Sequence, residues 1–121
     1  MNPQTIILNS SDLHEKSAGL RFALPQLGQF ATGFVVRYLG VPHAYVNQCA
    51  HVSIELDWEQ GQFFNSSKDF LICATHGAQY EPDTGHCVLG PCKGKRLHIL
   101  PVVEQNQQLI IQVDHLKSKL M

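Results

Sequence analysis

Cys49-Ala50-His51 and Cys73-Ala74-Thr75-His76-Gly77-Ala78-Gln79-Tyr80 are the stretches on which the reading of this chain turns. Each opens with a cysteine followed two or three residues later by a histidine, and twenty-one residues separate His51 from Cys73. Each pair offers one soft thiolate and one imidazole. That donor set suits iron or zinc and argues against calcium or magnesium, which take oxygen ligands. A structural zinc-binding module built on the same four residues is one outcome, although zinc sites more often open with two cysteines closely spaced.

Working outward, the flanks narrow the choice. His76-Gly77-Ala78-Gln79-Tyr80 resembles the HGxxF/Y pattern of the Rieske family. Thr84-Gly85-His86-Cys87-Val88-Leu89-Gly90-Pro91 resembles its TGxCxxGP stretch. Gly90-Pro91-Cys92-Lys93-Gly94 stands where members of that family carry a proline-containing loop over the cluster. The likeness runs roughly from Phe34 to Val113 and is closer to the oxygenase-associated Rieske ferredoxins than to the high-potential branch. It implies one 2Fe–2S cluster per chain, with Cys49 and Cys73 on the inner iron and His51 and His76 on the outer iron. It also places Gly77, Ala78, Tyr80, Gly90 and Pro91 around the cluster.

Counting charge gives the consequence of that ligand set. Two ferric ions, two sulfides and two thiolates sum to zero, whereas an all-cysteine cluster starts doubly negative. Rieske centres accordingly lie at about −150 to +300 mV, against about −400 mV for plant-type ferredoxins. The chain departs from the high-potential branch in ways that favour the lower part of that range. Ile54 and Thr75 fall where that branch carries a disulfide between its cluster loops, and Ala78 falls where it has a serine bonding a sulfide. Tyr80 matches its tyrosine, which bonds a ligand sulfur. The segment between the two motifs is also longer than in many family members.

The rest of the chain is consistent with a small β domain. Its 121 residues are 44% apolar and 16% charged, which suits one packed core and excludes disorder. Short apolar runs punctuated by turn residues predict strands at 5–8, 19–24, 32–39, 44–47, 70–73, 78–80, 96–103 and 108–113, with residues 40–43 as a break. A short helix is expected over 11–18, a turn at 82–85 and a frayed helical turn over 115–121. The fold class is therefore all-β: a Rieske-like antiparallel β sandwich with a smaller cluster-binding subdomain, about 48–92, inserted between hairpins of a single domain, 1–121.

The formal net charge of −1 excludes the basic balance of a nucleic-acid binder. Residues 51–85 are acidic, with six carboxylates against Lys68 alone, and the last third is basic. No apolar stretch reaches bilayer length and no leader is visible, so no membrane partner is expected and a cytoplasmic location is. Cys87 and Cys92 read as reduced, buried thiols rather than a disulfide. His14, His43, His86, His98 and His115 read as ordinary histidines. Trp58, Phe63 and Phe64 read as a small core beside the site, and Lys93, Lys95 and Arg96 as a solvated loop.

Resemblance to Rieske ferredoxins implies an electron-transfer protein or component of an oxidoreductase system. It would be fed by a flavin reductase and would pass electrons to an oxygenase or other oxidoreductase. The alternative within the same resemblance is a small Rieske-fold subunit of a nitrite-reductase-like complex. No nucleophile–base pair or phosphate loop is visible, and the length leaves no room for an oxygenase's catalytic domain.

Overall fold

A computed structural model describes residues 5–49, 54–57, 59–75 and 77–114. The described residues form ten strands: β1 (Thr5–Asn9), β2 (Leu20–Ala23), β3 (Thr32–Tyr38), β4 (Val41–Val46), β5 (Leu71–Ile72), β6 (Gln79–Tyr80), β7 (Cys87–Leu89), β8 (Ile99–Leu100), β9 (Val102–Gln105) and β10 (Gln108–Gln112). They form three antiparallel sheets, ordered β1-β10-β9, β2-β3-β4-β8 and β5-β6-β7. The all-β expectation holds, and the described residues contain no α-helix.

The unbroken apolar run Phe34-Val35-Val36 explains how the layers stack. A strand with one wet face alternates; one buried on both faces does not. Phe34 and Val36 on β3 join Tyr45 of β4 in a core shared with Cys49, Cys73, Tyr80 and Cys92. Val35, Ala44 and Val46 point the other way, into a core closed by Leu109, Ile111 and Val113. The central sheet is thus sandwiched by β1-β10-β9 on one side and carries the cysteine-rich region on the other. Phe63 stacks on Phe34 with ring centroids 3.9 Å apart, so it is core. Phe64 packs against the same cluster half-buried, and Trp58 lies outside the described residues.

Four sequence expectations are corrected. Residues 11–18 are not helical: a single 3-10 turn covers Ser10–Asp12, and the chain then pairs with β3. Tertiary contacts outweigh weak helix propensity here, because Lys16 N–H donates to Arg37 O (2.8 Å) and the Glu15 carboxylate accepts the N–H groups of Leu39 (2.6 Å) and Gly40 (2.8 Å). Those two residues, with φ of 53° and 82°, form the two-residue hairpin turn between β3 and β4. Residues 41–43 are therefore strand rather than break. Pro42 is tolerated in it because β8 covers β4 only at Ala44 and Tyr45. The expected strand 96–103 is divided at Pro101, with β8 in the central sheet and β9 in the outer one. Cys87–Leu89, for which the residue pattern predicts no strand, is β7. The expected turn at 115–121 lies outside the described residues.

At the far end of the sandwich, Glu104 accepts hydrogen bonds from Arg37 (2.7 and 3.0 Å) and from the Ser10 hydroxyl. These bonds, Arg37's first, hold its carboxyl down to about 2. A depressed folded pKa gives stability that is present above the ordinary carboxylate range and is lost as pH falls from about 5 towards 2. The pair is partly exposed, so the contribution is at most about 1 kcal/mol. Acid unfolding of Glu104→Gln should accordingly show a shallower dependence on pH between 5 and 2 than the parent chain.

Candidate metal centre

The chain leaves the central sheet at the end of β4 and returns to it at β8, and the candidate site lies on that excursion. Two of its loops close in the same way. Cys49 N–H donates to Ile54 O (2.7 Å), and Cys73 N–H donates to Ala78 O (2.8 Å). Each cysteine thus pins a loop by a bond to the carbonyl five residues on, and each loop contains its motif's histidine. Gly77 N–H donating to Cys73 O (2.8 Å) tightens the second loop further. The sulfurs sit at the base of the loops: Cys49 is 3% exposed and Cys73 0%. Ala74, Thr75 and Gly77 near the second loop's tip are exposed. His51 and His76 lie outside the described residues.

A polar network fixes the first loop to the sheet. Asn47 accepts Leu56 N–H (2.9 Å) and donates to Asp57 (2.9 Å), and Asp57 accepts Gly61 N–H (2.8 Å). Arg21 on β2 pairs with Glu55 (2.7 Å) and lies 3.5 Å from the buried Asp57 carboxylate. Leu56 O then accepts Ala74 N–H (3.0 Å), which ties the first loop to the second. Buried polar groups need such partners, since each one left unmade costs about 1–3 kcal/mol. Asn47 and Asp57 escaped the sequence reading because nothing in their types or spacing distinguishes a buried anchor from an ordinary loop residue.

A third loop covers the second. Gly90 has φ of +100°, and a Cβ there would lie 2.9 Å from Ala78 Cα. Only glycine permits both that conformation and that approach. Pro91 beside it is exposed, whereas Ala78 is fully buried. The turn at 82–85 is fastened to the central sheet by Tyr45, whose hydroxyl donates to Pro82 O (2.8 Å). The Tyr80 hydroxyl lies 3.2 Å from Cys49 Sγ and 3.2 Å from Cys92 Sγ. Cys87 and Cys92 form no disulfide. Cys87 Sγ donates to Leu89 O (3.3 Å), and burial, with a hydrogen bond to Cys92, pushes its thiol up to about 11. Cys92 was given no role in the sequence reading; its place two residues beyond Gly90 was the only hint.

Two buried sulfurs in one core cluster, each heading a pinched loop with a histidine in its sequence, are a donor set that fits an iron–sulfur group. The comparisons agree. The Rieske [2Fe-2S] domain profile matches residues 5–111. No curated protein matches. Among solved structures, the ferredoxin of carbazole 1,9a-dioxygenase from Nocardioides aromaticivorans IC177 is 18% identical, with a TM-score of 0.69 over 91% of this chain and 98% of that one. A chain of the complex of reduced oxygenase and oxidized ferredoxin in carbazole 1,9a-dioxygenase is 19% identical, with a TM-score of 0.72 over 92% of this chain and 94% of that one. The terminal oxygenase of carbazole 1,9a-dioxygenase from Novosphingobium sp. KA1 is 22% identical, with a TM-score of 0.71 over 94% of this chain but only 31% of that one. At these identities the likeness speaks for the fold. The profile match covers nearly the whole chain, and with the paired loops beneath it the chain belongs to the Rieske [2Fe-2S] domain family, which implies one 2Fe–2S cluster.

Proposed function

We propose that this protein is a one-electron carrier of the ferredoxin type, not itself catalytic, with its 2Fe–2S cluster held by Cys49, His51, Cys73 and His76. The observation that carries the reading is the matched closure of the two loops over buried Cys49 and Cys73. When bound, the cluster takes up and releases one electron. Cys49 and Cys73 serve as thiolates out of reach of water, and the Asn47–Asp57 network holds their loops at fixed separation. Gly77, Gly90 and Pro91 shape the cover, with Ala78 beneath it.

We read residues 1–121 as one domain with its cluster-binding subdomain at about 48–92. The similar fold of the carbazole dioxygenase ferredoxin supports an oxygenase or another oxidoreductase as acceptor; a flavin reductase as donor is proposed from the family resemblance alone. No helix among the described residues is long and apolar enough to cross a membrane; we place the protein in the cytoplasm.

The test is the optical and electron-spin-resonance spectrum of protein purified without a metal-affinity tag, before and after dithionite. A red-brown protein that is silent when oxidised and gains a spin-half signal of low average g supports the reading. A colourless protein containing one zinc overturns it. Tyr80 offers a finer check. A hydrogen bond to a ligand sulfur stabilises the more negative reduced state, so Tyr80→Phe should lower the midpoint potential while leaving iron content intact. An unchanged potential would remove Tyr80 from the tuning of the site.

A further inference from the structure

The Tyr80 hydroxyl has one hydrogen, and among the described residues it lies 3.2 Å from each of two sulfurs, Cys49 and Cys92. All three side chains are buried, so no water competes for the contacts. A phenol donates once and accepts with its lone pairs. Two arrangements of the hydroxyl hydrogen are therefore open, and they have opposite consequences for Cys49. With the hydrogen on Cys92, Cys49 receives none from the phenol. With the hydrogen on Cys49, the phenol oxygen accepts from the Cys92 thiol.

We propose that Cys92 is a positioning residue: its thiol donates to the Tyr80 oxygen, which gives the phenol hydrogen to the sulfur of Cys49 and, by polarising the O–H, strengthens that bond. The inference rests on Cys49 being a cluster ligand, because an iron-bound thiolate has no hydrogen and can only accept. Three backbone bonds hold Cys92 in place. Lys95 N–H donates to Cys92 O (2.8 Å), Cys87 N–H to Lys95 O (2.8 Å), and Gly94 N–H to Cys87 O (3.4 Å). Tyr80 and Cys87 are cross-strand partners in the β6–β7 pair, so the loop after β7 folds back over the phenol. Cys87 has its own acceptors in Leu89 O and the sulfur of Cys92, so the Cys92 hydrogen is left for the phenol. Thiols serve this purpose well in a dry core, where they pack as small apolar groups and still donate weakly.

The experiment compares midpoint potentials of Cys92→Ala, Cys92→Val, Cys92→Ser, Tyr80→Phe and the double variant Tyr80→Phe/Cys92→Ala, with iron and acid-labile sulfide measured on each. Alanine and valine at 92 should lower the potential, in the direction of Tyr80→Phe and by less. Serine keeps a donor and should stay near the parent value. In the Tyr80→Phe background the alanine substitution should add nothing, as expected of residues acting in series. The proposal is overturned if Cys92→Ala, with its cluster intact, leaves the potential unchanged. An equal shift in both backgrounds, or valine at the parent value with serine displaced, would also overturn it by assigning Cys92 to packing. Should the alanine variant not fold, the valine–serine contrast decides. Absence of iron, sulfide and the low-g signal from the parent chain would instead refute the cluster reading itself.

Discussion

Cys73→Ala should yield a colourless protein whose iron and acid-labile sulfide fall from two each per chain to near zero. Cys73 is wholly buried, so its sulfur does nothing at the surface that a partner or solvent would read. Its backbone bond to Ala78 does not involve the sulfur, so the second loop keeps its closure and the far-ultraviolet spectrum should change little. Cys49→Ala should behave alike, as should alanine at His51 or His76. Cys87→Ala is the informative control. That thiol bonds Leu89 O and Cys92, and its loss should leave the cluster in place. Retention of colour in Cys73→Ala, or its loss in Cys87→Ala, would reassign the ligands. Because a bound metal group stabilises only the native state, the colourless variants should also melt at lower temperature.

Asp57→Ala should be the most damaging change away from the sulfurs. The Asp57 side chain is 0% exposed and lies 3.5 Å from Arg21 Nε. It also accepts from Asn47 (2.9 Å) and from Gly61 N–H (2.8 Å). Truncation leaves Gly61 N–H without its acceptor and takes one partner each from Asn47, which keeps Thr32 (3.2 Å), and Arg21, which keeps Glu55 (2.7 Å), at a cost of about 3 kcal/mol. For a domain of this size that lowers Tm by roughly 10 °C or more. The damage is directed at the site, since Asn47 holds Leu56, and Leu56 holds Ala74 in the second loop. Bleaching of the visible absorbance on heating should therefore precede loss of the strand signal by circular dichroism in the variant. Coincident transitions in the variant would show that the network steadies the whole fold and not the loops. Asp57→Asn keeps one acceptor and should fall between the two.

Much of this architecture could be read from residue pattern. Runs with β-branched and aromatic residues marked β1, β3 and β10, and the paired Cys/His motifs marked the region whose cysteines share a core with Tyr80. What escaped depends on contacts distant in sequence. Residues 11–18 carry polar residues compatible with a helix, and it is pairing with β3 and the capture of the β3–β4 turn by Glu15 that draw them out of one. Pro42 reads as a breaker unless the open side of β4 is known. Asn47 and Asp57 act through partners that no local pattern reveals. Cys92 gains a role only when the chain after Gly90 is seen to fold back onto Tyr80.

The excursion that carries the site begins and ends at one place. Asn47 to His98 lie between β4 and β8, which are neighbours in the central sheet, and Val46 N–H already donates to His98 O (2.9 Å). Lengthening such a closed detour moves neither of its ends. Each doubling of a flexible loop adds only about 0.6 kcal/mol of closure entropy, so extra residues between the two motifs weigh little on the sandwich. The sandwich is thereby insulated from insertions and deletions in the excursion that carries the site. Such a lineage can drift in the length and contour of that excursion while the framework beneath keeps its register.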